Sequence, residues 1–262
     1  MHTDVDQVAR IAEILRKAEK TKTYCEPLRH QIGTDNIELA YQIQEVNTQE
    51  RLKEGASIVG YKIGLTSHAI QKQLGVDAPD FGVLFDDREI ANGGSIAAVE
   101  LLQPRIETEI AFVLSQDLDQ KKIGTLDLLS SIDYALIALE IVGSRIKDWD
   151  IKITDTIADN ASASHFVLGH KPMPLKDIDL VNCKMEMRQN GALVSEGTGA
   201  ACLGSPLNAA LWLAQKFASL GRPLKKGDLI LTGAVGPMVA VNAGDHFAAS
   251  INGLGSVNVR FT

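Results

Sequence analysis

The run Ala135-Leu-Ile-Ala-Leu-Glu-Ile-Val142 is apolar at every position but one. A segment of that length without polar alternation reads as a strand buried on both faces, which must lie inside a sheet covered on each side. The exception is Glu140. A carboxylate in such a run is costly to bury alone, so the fold has to bring it a cation or a proton.

A second segment, Arg105-Ile-Glu107-Thr-Glu109-Ile-Ala-Phe-Val-Leu114, also reads as a strand. Residues two apart share a face, so Glu107 and Glu109 point one way and Ile106, Thr108 and Ile110 the other. Two carboxylates side by side repel unless something positive lies between them. One arrangement answers both problems: the strands are neighbours, and Glu107, Glu109 and Glu140 share one divalent ion. Three oxygen ligands with water completing the shell suit Mg²⁺ or Mn²⁺. In the alternative, Glu107 and Glu109 line a solvated face and Glu140 pairs with Arg105 or Arg145. The two strands by themselves leave both open.

Around these strands the pattern is mixed. Residues 4–20 carry Val5, Val8, Ile11, Ala12 and Leu15 at helical spacing, with Thr3 or Asp4 to cap them. A second helix is expected from after Asp35 to about Lys53, stopped at Gly55, with Ile37, Ala40, Tyr41, Ile43 and Val46 as its apolar stripe. Residues 57–65 read as a strand and 67–74 as a short capped helix. Strands are expected at 80–85 and 96–102 around the Asn92-Gly93-Gly94 turn, and a helix at 126–131 capped by Thr125. Residues 155–165 are polar and small and read as a loop. Residues 184–189 and 192–196 around Asn190-Gly191 form a hairpin, residues 205–220 a helix closed by Gly221 and Pro223. Strands at 228–232, 238–241, 246–251 and 256–261 follow. The reading is one α+β domain over 1–262, β-rich, with a helical part at about 1–55.

Composition excludes more than it selects. A net charge of −7 lacks the basic footprint of a nucleic-acid binder. There is no apolar run of transmembrane length. The first twenty residues mix acids and bases through their apolar positions, unlike a secretory leader. Three widely spaced cysteines (Cys25, Cys183 and Cys202) suit reduced thiols, so a cytoplasmic location is expected. His165, His170 and His246 lack metal-ligand spacing, Cys202 lacks an evident base, and no GxGxxG occurs.

Two further residues carry chemical potential. Lys62 stands in the otherwise apolar Gly60-Tyr-Lys-Ile-Gly64, between glycines that let a ligand approach the backbone. It reads either as an acid/base or anion-holding group or as a lysine snorkelling outward. Asp80 follows Pro79 and is either a turn residue or part of a site.

Residues 60–67 (GYKIGLTS), 79–82 (PDFG), 103–110 (QPRIETEI), 138–146 (ALEIVGSRI), 158–162 (ADNAS) and 227–233 (GDLILTG) together resemble the hydratase/decarboxylase family of aromatic meta-cleavage pathways. The resemblance runs in order from about residue 25 to the C-terminus. It implies a fumarylacetoacetate hydrolase-like fold and Mg²⁺ or Mn²⁺ held by Glu107, Glu109 and Glu140. It also implies catalytic roles for Lys62 and Asp80, and substrate contacts from Ser162, Lys62 and Thr232. The implied reaction is hydration of 2-hydroxypenta-2,4-dienoate, a small 2-hydroxy dienoate, to 4-hydroxy-2-oxopentanoate. Decarboxylation of 2-oxohex-3-enedioate and hydration of a longer 2-oxo-dienoate are the family alternatives. Residues 148–149 and 204–208 look more like the hydratases. A binding module with a dead site is the non-enzyme alternative, and an acylpyruvate hydrolase is disfavoured because no suitable His–Glu pair is present. A homo-oligomer, and contact with another pathway enzyme, are expected.

Overall fold

The computed structural model describes residues 5–67, 71, 72, 76 and 78–262. Three helices open the chain: α1 (Val5–Thr21), α2 (Arg29–Ile32) and α3 (Ile37–Lys53). The cap of α3 is Asn36, whose side chain accepts from the Leu39 N–H, so the helix starts after Asp35 as expected. Ile11, Leu15, Leu28, Ile43, Ile146 and Ile157 form an apolar cluster that ties these helices to the short helix Ile153–Ala158.

The strands that follow are β1 (Ile58–Gly64), β2 (Asp80–Phe85), β3 (Glu89–Ile90), β4 (Ser95–Ile96), β5 (Arg105–Leu114), β6 (Ile132–Val142) and β7 (Ala163–Leu168). After them come β8 (Lys184–Gln189), β9 (Ala192–Thr198), β10 (Leu229–Ala234), β11 (Val239–Ala240), β12 (His246–Ile251) and β13 (Gly255–Phe261). They form two sheets. The smaller has the order β4-β13-β12-β8-β9; the larger has the order β2-β1-β10-β5-β6-β7-β3, with β11 on β5.

The large sheet curls on itself. β3 follows β2 after one 3-10 turn, yet it pairs in parallel with β7 at the far end of the order. Leu84 of β2 packs in one cluster with Phe166 of β7, together with Ala111, Leu136, Ala138, Leu229 and Leu231. Side chains from opposite ends of a sheet meet only if the face they share is concave. The other, convex face packs against the small sheet and the helix Pro206–Ser219, through Ile106, Ile110, Ile137, Ile141, Ile230, Phe247, Val259 and Phe217. This double coverage is why β6 has no polar alternation.

Most expected elements form, and the differences have identifiable causes. The strand expected at 96–102 ends at Ile96. The last ladder bonds are those Thr262 makes to Ile96 and Ala98, and residues 98–100 then turn into a 3-10 helix. The helix at Thr125–Ser131 begins one residue earlier than expected: Thr125 is inside it, and Asp127 caps it by accepting the Gly124 N–H. Residues 155–165 are not a loop. They are the end of a helix, a 3-10 turn at Asn160–Ser162 and the start of β7. The caps Thr3 and Asp4, and most of the helix expected at 67–74, lie outside the described residues.

Candidate active site

The antiparallel register of β5 and β6 places Glu107 opposite Glu140, and Glu109 opposite Ala138 two rungs along. Glu107, Glu109 and Glu140 therefore share the concave face with Ala111, Leu136 and Ala138. Each glutamate offers one oxygen, and the three oxygens lie within 4.8 Å of one another. Glu140 and Glu109 are fully buried and Glu107 is half-buried.

β1 and β2 bring two more charged groups to this face. Lys62 is 4 % exposed, and its Nζ lies 3.3 Å from Glu140 Oε1 and donates to the Ala161 carbonyl at 3.0 Å. Snorkelling is thereby excluded. Asp80 is buried opposite Gly64, which shares the face of Lys62. Thr156 Oγ1 lies 3.5 Å from Asp80 Oδ2 and 3.3 Å from Ser162 Oγ, so Ser162 joins the group through Thr156.

The charges do not balance. Burial raises the pKa of Glu107 to about 7, and the neighbouring Glu140 adds to it. Burial and the same neighbour push Glu109 well above the ordinary carboxylate range. Asp80 is also raised, chiefly by burial, although Lys62 opposes it. For Lys62, burial disfavours the ammonium, but Glu140, Asp80, Glu109 and Glu107 outweigh it and raise its pKa. Lys62 is thus a firmly held cation among carboxylates that outnumber it.

Four oxygens at this site are buried without a hydrogen-bond donor: Asp80 Oδ1, Glu109 Oε1 and both oxygens of Glu140. Orphaned buried acceptors are rare in native proteins and demand an explanation. The remaining oxygen of Glu109 accepts the Gly233 N–H at 2.8 Å. A bulge in β10 between Leu231 and Ala234 turns that N–H off the ladder. Glu109 is thereby oriented from behind, with Oε1 left free. A hard divalent cation fits this donor set: oxygen ligands, negative charge that Lys62 alone does not balance, and buried acceptors without a hydrogen-bond donor.

The alternative of arginine pairing is not what forms. Arg145 is held by Asp159, through its guanidinium and its backbone N–H, and by Glu19 at 3.5 Å. Arg105 stacks over Trp149. Thr232 is buried on β10, and its hydroxyl donates to the Ile110 carbonyl at 2.7 Å.

Two contributors escape a reading of side-chain types. One is the Ala161 carbonyl on Lys62, visible only once the turn is built. The other is the lack of a side chain at Gly64: a Cβ there would lie 2.2 Å from Asp80 Oδ1 and 3.3 Å from Lys62 Nζ. Gly64→Ala should therefore fold and keep its ion while kcat falls about 100-fold, the scale on which a displacement of about 1 Å acts. Steady-state kinetics beside Mn²⁺ titration checks this.

Residues 57–262 match the fumarylacetoacetate (FAA) hydrolase C-terminal family profile. The chain is 51% identical over 250 residues to 2-keto-4-pentenoate hydratase 1 of Dechloromonas aromatica (strain RCB), covering 95% of each chain. It is 50% identical over 260 residues to 2-keto-4-pentenoate hydratase of Burkholderia vietnamiensis (strain G4 / LMG 22486), covering 99% of each. The structure of 4-oxalocrotonate decarboxylase from Pseudomonas putida G7, complexed with magnesium and adipate, superposes with a TM-score of 0.95. It shares 32% identity and 99% coverage of both chains.

Proposed function

This chain belongs to the fumarylacetoacetate hydrolase family, and from that premise we propose that it is a metal-dependent hydro-lyase. It hydrates 2-hydroxypenta-2,4-dienoate to 4-hydroxy-2-oxopentanoate in the breakdown of aromatic compounds. One observation carries the reading: buried oxygens of Glu109, Glu140 and Asp80 without a hydrogen-bond donor gather on one concave face, with Lys62 as the cation beside them. Half of the sequence is identical to hydratases over almost the whole chain, which favours this substrate over the diacid taken by the decarboxylase.

Glu107, Glu109 and Glu140 would hold Mg²⁺ or Mn²⁺. When bound, the ion supplies Lewis acidity and a template for the substrate's 1-carboxylate and 2-oxygen. The protein's own groups manage protons. Overall, C5 gains a proton as the 2-hydroxyl loses one, giving the conjugated 2-oxo-3-enoate; water then adds its oxygen to C4 and a proton to C3. Lys62, held charged, stabilises negative charge developing on substrate oxygen. Asp80, with its pKa raised by burial and one oxygen unpartnered, is placed to carry a proton. Ser162, fixed by Thr156, contributes a hydroxyl for the carboxylate end.

The assay is loss of dienoate absorbance with and without Mg²⁺, run beside 2-oxohex-3-enedioate. Turnover of the dienoate that a chelator abolishes and Mg²⁺ restores is expected. Preferential CO₂ release from the diacid would transfer the chain to the decarboxylases.

Ion and protons compete for Glu107. Its folded pKa is raised, so the ion-free protein loses stability as pH rises from about 4.5 to about 7. Ion affinity changes the opposite way and should tighten roughly tenfold per pH unit below about 7 for each proton displaced. Calorimetric titration with Mn²⁺ at several pH values reads this slope; a flat profile would contradict it.

No helix among the described residues is long and apolar enough to cross a membrane. A cytoplasmic location, a homo-oligomer and contact with a neighbouring pathway enzyme complete the proposal. Light scattering of the purified chain tests the second.

A further inference from the structure

β2 is where the curled sheet would stay open, because β1 pairs with only one of its edges. At Val83 the other edge is satisfied by a side chain. The Asn160 amide accepts from the Val83 N–H at 2.7 Å and donates to the Val83 carbonyl at 2.9 Å. One carboxamide thus makes both hydrogen bonds that a neighbouring strand residue would make.

The turn that presents this amide is strained. Asn160, Ala161 and Ser162 have φ of 54°, 49° and 59° in succession, a left-handed region unfavourable for alanine and serine. It is anchored behind by Asp159, gripped by the Arg145 guanidinium and backbone N–H, and by the Ser162 carbonyl, which accepts the Gly143 N–H at 2.9 Å. Gly82 makes room in front: a Cβ there would lie 2.3 Å from the Asn160 carbonyl oxygen. The same turn aims the Ala161 carbonyl at Lys62 and sets Ser162 beside Thr156.

The geometry assigns Asn160 as a positioning residue: its amide staples β2 to the strained turn and so sets Lys62 and Asp80 against Glu140. The glutamates themselves stand on β5 and β6 and do not depend on the staple. This assignment deepens the hydratase reading and rests on it.

The test uses the full chain with Mn²⁺. Asn160→Ala should lower kcat about 30- to 100-fold while KM and the Mn²⁺ dissociation constant stay within about threefold, a split that general loosening of the fold would not give. Hydrogen exchange at the Val83 amide should accelerate at least about tenfold. Gly82→Ala displaces the same turn from the other side, so the double variant should lose little more than the worse single one. If Asn160→Ala does not fold, Asn160→Asp keeps the shape and one acceptor, loses the donor, and is held to the same limits. A kcat within threefold of the unaltered chain, an unchanged Val83 exchange rate, parallel loss of Mn²⁺ binding, or multiplicative losses in the double variant would each overturn the assignment. An unaltered chain that fails to turn over the dienoate would instead overturn the hydratase reading, and the exchange and Mn²⁺ measurements would still judge the staple.

Discussion

Glu107→Gln is expected to lower kcat by at least about a thousandfold, equivalent to about 4 kcal/mol of barrier, and to weaken Mn²⁺ binding to the point of loss. Glutamine has the same shape and keeps an oxygen, so packing is preserved and only charge is removed. That charge is unfavourable in the ion-free protein, where Glu107 faces Glu140 directly and helps to raise Glu109. The ion-free variant should therefore melt a few degrees higher than the unaltered chain even as activity disappears. Opposite signs in the two measurements mark a residue kept for function at a cost in stability. If Glu107 merely lined a solvated face, both would be near neutral, and near-normal turnover would remove the scheme.

Lys62→Met is expected to do the reverse to stability. Met fills a similar volume but leaves Glu140 and Asp80 buried without their cation. Removing one partner of a buried pair costs about 3–5 kcal/mol, and kcat should fall by about 100-fold or more. Lys62 lowers the pKa of Asp80 and Glu107, so without it the carboxylates take up protons more readily. The stability deficit should therefore shrink as pH falls through about 7, and it should also narrow when Mn²⁺ supplies the missing charge. Thermal melts at two pH values, each with and without the ion, read both effects. A deficit independent of pH and of ion would mean that Lys62 contributes only packing.

The sheet strands of the site were legible because period and polarity disagree there. Glu140 interrupts an apolar run, and Glu107 and Glu109 repeat at the spacing that keeps them on one face, so strand pairing was the economical solution. Lys62 and Asp80 were ambiguous until register was known: each has an ordinary surface role, and only the β1–β2 pairing turns both inward. The turn at Asn160–Ser162 and strand β7 were obscured by small polar residues, whose composition is that of a loop. What makes them ordered is long-range: Arg145, Val83 and Gly143 satisfy them from elsewhere in the chain.

The pairing of Glu107 with Glu140 on a single rung also bears on how such a site can diversify. The separation of those two carboxylates is set by the spacing between adjacent strands, a constant of the peptide backbone, and not by any loop. Insertions, deletions and substitutions in the surrounding turns can then reshape what surrounds the site without moving the glutamates. A lineage built on this ladder is free to explore new leaving groups and chain lengths by editing the walls alone. The 0.95 superposition onto a decarboxylase at 32% identity is what that kind of inheritance leaves behind.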